Sequence, residues 1–389
     1  MRIAHVITRM ILGGAQENTL LTCVDLIRDW GDEVLLITGP PSGPEGSLLD
    51  QAVESGVPLH VIPELCRAIQ PWYDWISYRK ILHALADFHP QVVHTHSAKG
   101  GVLGRAAAWN LGVQAIVHTV HGAPFHPYQS WPARSAIRWC EFWAAQRCHA
   151  LVSVADAMTD LLVDAGVAPR AMFTTVYSGM EVEPFLHADE HRDAVRAALG
   201  YGPDDIVIAK VARLFRLKGH DDLITAAERV LAACPQARFL LVGDGLLRES
   251  LQARIAAAGM TPQFHFTGLV PPQRVPEFLA AADIVVHTSL REGLARVLPQ
   301  ALIAGKPVVS YDIDGAREVV LPGQTGCLIP PRQVGDLADA LILLAQNSQL
   351  RQAYGEEGRR RCAPQFSHSR MTAQLRTLYT RLLTPPSVG

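Results

Sequence analysis

Two positively charged residues follow a buried strand in the second half of the sequence. The apolar run 206–211 predicts the strand, and Arg213 and Lys218 come soon after it. Two cations at the end of a strand can converge on one diphosphate and neutralise its charge as it leaves a substrate. Solvated surface charge is the ordinary alternative, and these two residues alone leave both interpretations open.

An acidic residue opens the stretch 289–310. The apolar run 283–287 predicts a strand, and Glu292 and Gly293 form the turn at which a helix is predicted to begin. Residues spaced by three and four mark the apolar face of this helix: Leu294, Val297, Leu298, Ala301 and Leu302. A helix N-terminus at the carboxyl end of a parallel strand attracts anions, so the pattern predicts an anion site. An ordinary βαβ unit with a surface glutamate has the same pattern.

Glycines stand at predicted strand ends in both halves. They are Gly13 and Gly14 in the first half, and Gly243 (before Asp244) and Gly268 (before Leu269 and Val270) in the second. Glycine lets the backbone approach a phosphate where a Cβ atom would collide, but it also suits any tight turn. A dehydrogenase would show G-x-G-x-x-G and an acidic residue closing the second strand. The chain has LGGAQ at the first place and Thr38 at the second, which disfavours that class.

Two strand ends are rich in histidine. His94 and His96 form an H-x-H pair, which can bind a metal, but no third ligand with suitable spacing stands out. A structural role is the favoured interpretation, and the sequence predicts no metal site. His121 is the better candidate for function, because Gly122 follows it and opens a loop.

Strands alternate with helices along both halves, which predicts parallel sheets covered on both faces. The polar stretch 181–202 interrupts the alternation. The predicted organisation is an N-terminal domain (1–182), a linker (183–203), a C-terminal domain (204–364), and a C-terminal helix that crosses back, with a tail (365–389). Two doubly wound domains leave a cleft at the carboxyl ends of their strands, and that cleft is the expected site.

Composition bounds the protein class. Of 389 residues, 49% are hydrophobic and 19% charged, which describes globular domains, and the net charge of -2 gives no general attraction to nucleic acid. The seven cysteines contain no C-x-x-C pair, which favours reduced thiols and a cytoplasmic location. No apolar run approaches the roughly 20 residues that span a bilayer. The first residues are expected to form a strand rather than a signal peptide.

Taken together, these motifs resemble the retaining GT-B glycosyltransferases of family 4, also called group 1. The matching segments are LGGAQ from Leu12, HTHS from His94, HTVHGAPF from His118, VAR from Val211 through Lys218, VGDG from Val242, and residues 289–309. The resemblance implies an α/β fold of two Rossmann-like domains facing across a cleft, with the C-terminal helix packing toward the N-terminal domain.

The resemblance also implies a donor site for a nucleotide sugar, most often a UDP-sugar. Arg213 and Lys218 would bind the β-phosphate, and Glu292 would face the transferred sugar. The helix N-terminus at Gly293 and Leu294 would add its dipole. The turn at Gly268, Leu269 and Val270 would hold the base, and Gly243 and Asp244 line the same edge. Gly14, beside Gly13, would approach the diphosphate, and His121 the sugar.

The resemblance implies retention of configuration and no metal or other cofactor, because the cations neutralise the leaving group. There is one departure from the family pattern. Its second glutamate is Gln300 here, which keeps an acceptor oxygen for the ribose hydroxyls but loses the charge. Charge-assisted hydrogen bonds are about twice as strong as neutral ones, so we expect weaker ribose binding.

The acceptor is expected to bind the N-terminal domain. Between residues 67 and 147 there are eight Arg/Lys and three Asp/Glu, so 8 − 3 gives +5. Tryptophans lie among them. Basic helices with interfacial tryptophan suit contact with an anionic membrane and a lipid-linked acceptor, whereas packed aromatics and solvated charges are the alternative. We therefore expect a glycan or lipid-linked acceptor and the inner face of the cytoplasmic membrane.

Two other classes stay open. A sugar-nucleotide epimerase of the same fold would consume donor without an acceptor. A non-catalytic sugar-nucleotide-binding protein would bind UDP without turnover, and Gln300 keeps this class open.

Overall fold

The computed structural model describes residues 1–41, 46–126 and 129–384, so the last residues of the predicted tail lie outside it. The chain forms two compact units. Unit 1 combines Met1–Met180 with the end of the chain from Phe366, and unit 2 is Glu181–Gln365. The predicted boundaries at 182 and 364 lie within two residues of these divisions.

Unit 1 is an α/β unit. Its strands are β1 (Arg2–Arg9), β2 (Glu33–Gly39), β3 (Leu59–Val61), β4 (Val92–His96), β5 (Ala115–Val120), β6 (Ala150–Ser153) and β7 (Phe173–Thr175). Its helices before unit 2 begins are α1 (Gly14–Trp30), α2 (Leu49–Glu54), α3 (Pro71–Phe88), α4 (Ala98–Asn110), α5 (Trp131–Ala145) and α6 (Asp156–Asp164). All strand pairs of the described sheet are parallel, in the order β3-β2-β1-β4-β5-β6-β7.

Unit 2 repeats the plan. Its strands are β8 (Ile206–Val211), β9 (Ala237–Val242), β10 (Phe264–Gly268), β11 (Ile284–His287), β12 (Val308–Tyr311) and β13 (Gly326–Ile329). Its helices are α7 (Glu183–Leu186), α8 (Arg192–Ala198), α9 (His220–Ala233), α10 (Arg248–Ala257), α11 (Val275–Ala281), α12 (Val297–Ile303), α13 (Val334–Gln346) and α14 (Ser348–Gln365). The parallel sheet has the order β10-β9-β8-β11-β12-β13.

In each sheet the order in which successive strands are added reverses at one point, which is where open α/β sheets bind ligands outside the carboxyl ends of their strands. In unit 1 the reversal lies between β1 and β4, and in unit 2 it lies between β8 and β11. The strands at these points are buried on both faces, and β8 and β11 are nearly continuous apolar runs. Polar residues can therefore appear only at the strand ends, unless they have buried partners.

The last helix, α15 (His368–Leu383), packs on α1 and completes unit 1, as the fold prediction required. Asp25 of α1 is fully buried and accepts hydrogen bonds from Thr372 at 2.8 Å and from His368 at 2.8 Å. Arg376 donates to Asp32 at 2.8 Å. A buried carboxylate is costly unless it is paired, so these contacts make the position of α15 specific.

The prediction of a linker at 183–203 is wrong. These residues form α7, a 3-10 turn (Ala188–His191) and α8, which belong to unit 2. Arg192 pairs with Asp283 at 2.6 Å, and Asp189 accepts from Lys306 at 2.7 Å. The stretch is polar because its charges form ion pairs with the unit, and composition alone does not separate that case from a solvated linker.

Candidate active site

Lys218 and Glu292 meet at the switch point of unit 2. Lys218 ends a 3-10 turn after β8, and Glu292 lies in the loop after β11, the neighbouring strand. The Lys218 ammonium donates a hydrogen bond to the Glu292 carboxylate, and each side chain is about a quarter exposed (22% and 23%). The structure therefore joins two residues that the sequence placed 74 positions apart, and it leaves both open to a ligand.

A second layer lies under this pair. His287 Nε2 is 3.8 Å from Glu292 Oε1, beyond hydrogen-bond distance but close enough for electrostatic interaction, and its Nδ1 contacts Ser310 at 3.1 Å. Burial alone would raise the pKa of Glu292, but His287 and Lys218 lower it to about 2. Glu292 is therefore a carboxylate at neutral pH and cannot serve as a general acid there.

Lys210 is a functional candidate that the sequence analysis missed. It lies inside β8, is 1% exposed, and donates to Thr288 Oγ1 at 2.6 Å. The Thr288 hydroxyl in turn donates to the carbonyl of Gly219 at 2.6 Å, next to Lys218. Burial lowers the pKa of Lys210 to about 7, and the charge of Lys218 adds to the lowering. The signal was a lysine within an otherwise apolar strand.

Arg213 lies in the same loop as Lys218, but its side chain is exposed. Its guanidinium is 5.0 Å from the centre of the Phe215 ring, and its carbonyl is 3.1 Å from His220 Nε2. Among the described residues, the guanidinium makes no hydrogen bond or ion pair with Lys218 or Glu292. The expected convergence of the two cations thus remains a prediction about the ligand-bound protein.

The helix predicted to begin at Glu292 and Gly293 begins later. The described structure has a loop from 288 to 296, and α12 starts at Val297. The backbone N–H of Glu292 donates to the Asp314 carboxylate at 2.6 Å, which holds the chain in the loop. Gly293 and Leu294 are therefore loop residues, and the expected helix dipole is not located at them. Gln300 lies within α12, and its side chain is partly exposed.

The glycine turns of unit 2 are required by the backbone: Gly268 has a φ of +76°, in the left-handed region, and Gly243 is in addition closely packed. Gly243 has φ +136° and donates to the carbonyl of Gly268 at 3.1 Å, and a Cβ at Gly243 would lie 2.3 Å from the Ala212 carbonyl oxygen. Asp244 accepts from Arg248 at 2.8 Å. After this turn Leu269 is 74% exposed, and Val270 is partly buried. The tight-turn interpretation explains both glycines, and ligand contact at the base-binding residues stays a prediction.

In unit 1, Gly13 and Gly14 connect β1 to α1. Gly13 has an extended φ of −177°, which any residue can adopt, and Gly14 is the first residue of α1. A Cβ at Gly13 would lie 2.7 Å from Gln16 Oε1, the mobile end of a side chain. Backbone strain does not explain the glycine pair, so close approach to a ligand stays open as its reason.

His121 belongs to a histidine cluster that the sequence analysis found only in part. His96 Nδ1 is 3.1 Å from His121 Nε2, and His5 Nδ1 is 3.0 Å from His96 Nε2. Ring nitrogens of His5, His94 and His96 lie within 4.8 Å of one another. The third histidine was missed because it lies 89 residues before His94, yet the parallel register pairs His5 with His94.

Comparison with known proteins decides the family. Residues 191–361 match the model for glycosyl transferases group 1, and residues 13–178 match that for the glycosyl transferase 4-like domain. A D-inositol 3-phosphate glycosyltransferase from Kribbella flavida is 30% identical over 72% of this chain and 69% of its own. The chain belongs to the group 1 glycosyltransferases.

A second relative of this group 1 glycosyltransferase covers more of it. The UDP-Gal:alpha-D-GlcNAc-diphosphoundecaprenol alpha-1,3-galactosyltransferase of Escherichia coli is 27% identical over 90% of this chain and 89% of its own. Among solved structures, Anabaena HepE in complex with UDP superposes with a TM-score of 0.83 at 22% identity, covering 98% of this chain and 100% of that one. The fold is GT-B, as predicted.

The family assignment settles the reaction class. The matched models and the relatives named here are transferases, so the enzyme is a glycosyltransferase that uses a nucleotide sugar. This outcome does not favour the epimerase or the non-catalytic alternative. In the described part of the chain, no helix is both long and apolar enough to cross a bilayer.

Proposed function

We propose that this group 1 glycosyltransferase transfers a sugar from a UDP-sugar to a glycan or lipid-linked acceptor, with retention of configuration and without a divalent metal. The observation that carries the proposal is the Lys218–Glu292 pair at the switch point of unit 2. It supplies a cation for a departing diphosphate and an ionised acceptor for sugar hydroxyls at one place.

Lys218 is the residue proposed to stabilise the negative charge of the leaving diphosphate. An ammonium that already lies beside a strand end can be shared between the Glu292 carboxylate and a phosphate oxygen without moving far. Arg213 is exposed in the same loop and can add a second positive charge. Fixed cations aimed at developing negative charge lower the barrier of group transfer, so these residues can do what a metal does elsewhere.

Glu292 is the proposed sugar-positioning residue. With a pKa of about 2 it stays ionised, so it accepts hydrogen bonds from hydroxyls and gives no proton to the leaving group. This fits a mechanism in which the leaving phosphate accepts the proton of the acceptor hydroxyl. Such same-face attack retains the configuration of the transferred sugar.

Uridine is the proposed base of the donor. The name of the E. coli relative includes UDP-Gal as its donor, and HepE was solved with UDP and also with UDP-glucose. The UDP complexes and the UDP-Gal donor belong to those proteins, and they support the same nucleotide here.

Gln300 would accept hydrogen bonds from the ribose hydroxyls as a neutral amide. Gln300→Glu should therefore tighten donor binding and leave turnover intact, and abolished turnover would contradict the assignment.

A lipid-linked acceptor is the proposed second substrate. The E. coli relative is named for an undecaprenol-linked acceptor. Exposed tryptophans on two helices of unit 1 support membrane contact here: Trp72 (68%) and Trp75 (51%) on α3, and Trp131 (73%) and Trp139 (63%) on α5. Exposed indole rings beside basic residues are typical of interfacial membrane binding.

The test is a transfer assay with a panel of nucleotide sugars, in which the configuration of the product is read by NMR. We expect turnover with a UDP-sugar in the presence of EDTA, and an α-linked product from an α-linked donor. An inverted product would contradict retention, and activity lost with EDTA and restored by a divalent ion would contradict metal independence. Donor consumption without acceptor would indicate an epimerase.

A further inference from the structure

Three histidines form a row from the interior of unit 1 to the end of β5. His5 Nδ1 lies 3.0 Å from His96 Nε2, and His96 Nδ1 lies 3.1 Å from His121 Nε2. Neighbouring rings along the row are stacked, with centroids 5.3 Å and 5.4 Å apart. His5 and His96 are fully buried, whereas His121 is partly exposed. The row therefore connects a buried residue to one that a ligand can reach.

The two buried histidines are neutral. Burial lowers the pKa of His5 to about 3 and holds the pKa of His96 well below its ordinary value. A neutral imidazole has one N–H donor and one bare nitrogen acceptor. Because His96 uses one nitrogen toward each neighbour, it must donate to one of them and accept from the other. Both hydrogen bonds of the row therefore run in the same direction.

His5 decides the direction. Its Nε2 is buried and has no hydrogen-bond partner among the described residues. An orphaned buried N–H is rarer than an unpaired acceptor. The ring proton of His5 therefore lies on Nδ1 and is donated to His96, and His96 donates its own proton from Nδ1 to His121 Nε2. That leaves a neutral His121 with its ring proton on Nδ1.

A shared metal ion is the competing explanation of the cluster. His94 is close enough to His5 and His96 to join them as a ligand. However, both His94 nitrogens already have hydroxyl partners, Tyr379 at 2.5 Å and Thr119 at 2.7 Å. The row accounts for both ring nitrogens of His96, and the two hydroxyl groups account for both of His94, so hydrogen bonds explain these rings without an ion.

We propose that His5 and His96 are positioning residues that hold His121 in its Nδ1–H tautomer, so that it presents an N–H donor to the sugar substrate. The identity of that ligand rests on the proposed function, whereas the tautomer does not. Neither residue needs to touch the substrate. They act by keeping the ring proton of His121 on Nδ1 and off Nε2.

The test is long-range 15N–1H NMR of the full-length protein labelled at histidine, with His121 assigned by comparison with His121→Gln. We expect wild-type His121 to be protonated on Nδ1. In His96→Phe, which keeps a buried ring but removes both nitrogens, His121 should shift toward Nε2–H. The kcat should fall about tenfold with little change in the KM for the donor.

His94→Phe is the matched control, because it makes the same change at a neighbouring buried histidine outside the row. It should leave the His121 tautomer unchanged. His96→Gln, which keeps a donor and an acceptor, should recover part of the kcat. Wild-type His121 protonated on Nε2 would overturn the proposal even if a variant failed to fold. Stoichiometric Zn²⁺ in the purified protein would overturn it in favour of a metal site. Absence of any transfer activity would count against the proposed function alone.

Discussion

At the scale of single residues, the site of unit 2 combines charges that compensate one another. Glu292 stays ionised because Lys218 and His287 surround it, and Lys218 is held at the strand end by the same contact. Lys210 lies beneath them without a carboxylate in direct contact among the described residues. A buried ammonium with only a hydroxyl partner is destabilising, so we expect Lys210 to lower the free energy of unfolding.

Lys210 predicts a specific dependence of stability on pH. Its pKa falls from 10.5 in the unfolded chain to about 7 in the folded one, mainly through burial. Between these values the unfolded chain binds a proton that the folded chain does not, so its contribution to the free energy of unfolding rises with pH from 7 toward 10. Lys210→Met should remove this rise.

Urea unfolding of wild type and Lys210→Met at pH 6.5, 8 and 9.5 measures the effect. The free energy of unfolding of Lys210→Met should exceed that of the wild type most at pH 6.5, and this excess should shrink as pH rises. Lys80→Met, at an exposed lysine, is the control. A difference between wild type and Lys210→Met that is constant across these pH values would show that Lys210 is not buried as a strained cation.

At the scale of elements, the glycine turns at the ends of β9 and β10 fix the path of the backbone at this edge of the sheet. The positive φ of Gly243 and the 2.3 Å approach to the Ala212 carbonyl leave no space for a side chain. Backbone cannot move away as a flexible side chain can. Gly243→Ala should therefore lower the free energy of unfolding by about 1–3 kcal/mol.

Gly202→Ala is the control for this prediction in the same unit. A Cβ there would meet Asp205 at 3.6 Å, an ordinary contact, and the variant should stay within about 0.5 kcal/mol of the wild type. Denaturant unfolding compares the two variants. Equal stability of Gly243→Ala and Gly202→Ala would contradict the packing argument.

The elements also show what the sequence could predict. The strands were predictable because burial on both faces makes them apolar runs, and strand ends place Lys218 and Glu292 at one edge. The start of α12 was not predictable. Leu294 continues the apolar spacing of the helix, but the contact of Asp314 with the Glu292 N–H holds this stretch in a loop. The contact of His5 with His96 depends on strand register, which local patterns do not contain.

At the scale of the whole molecule, each unit carries its own set of candidate residues. Unit 2 carries the charged pair, and unit 1 carries the histidine row and the exposed tryptophans. This division suits a transferase with two unlike substrates. It also makes membrane contact a property that can be tested independently of donor binding.

The full-length protein should bind vesicles containing anionic lipid and should bind vesicles of neutral lipid far less. The Trp72 and Trp75 rings stack on α3 with their centroids 5.3 Å apart. Replacing both with alanine should lower the partition coefficient onto anionic vesicles about tenfold. Trp109→Ala, at a less exposed tryptophan, serves as the control. Flotation measures the bound fraction. Wild-type protein that stays entirely unbound would remove the membrane contact from the proposal.

The central claim, that Lys218 beside Glu292 binds the diphosphate of the donor, is tested most directly by calorimetric titration with UDP. The account predicts that Lys218→Ala binds UDP at least about tenfold more weakly than the wild type. Glu292→Gln should bind UDP as well or more tightly, because it frees Lys218, while it loses turnover. Lys306→Ala, at an ion-paired lysine outside the site, should bind as the wild type does. Equal affinity for UDP in the wild type and Lys218→Ala would contradict the account.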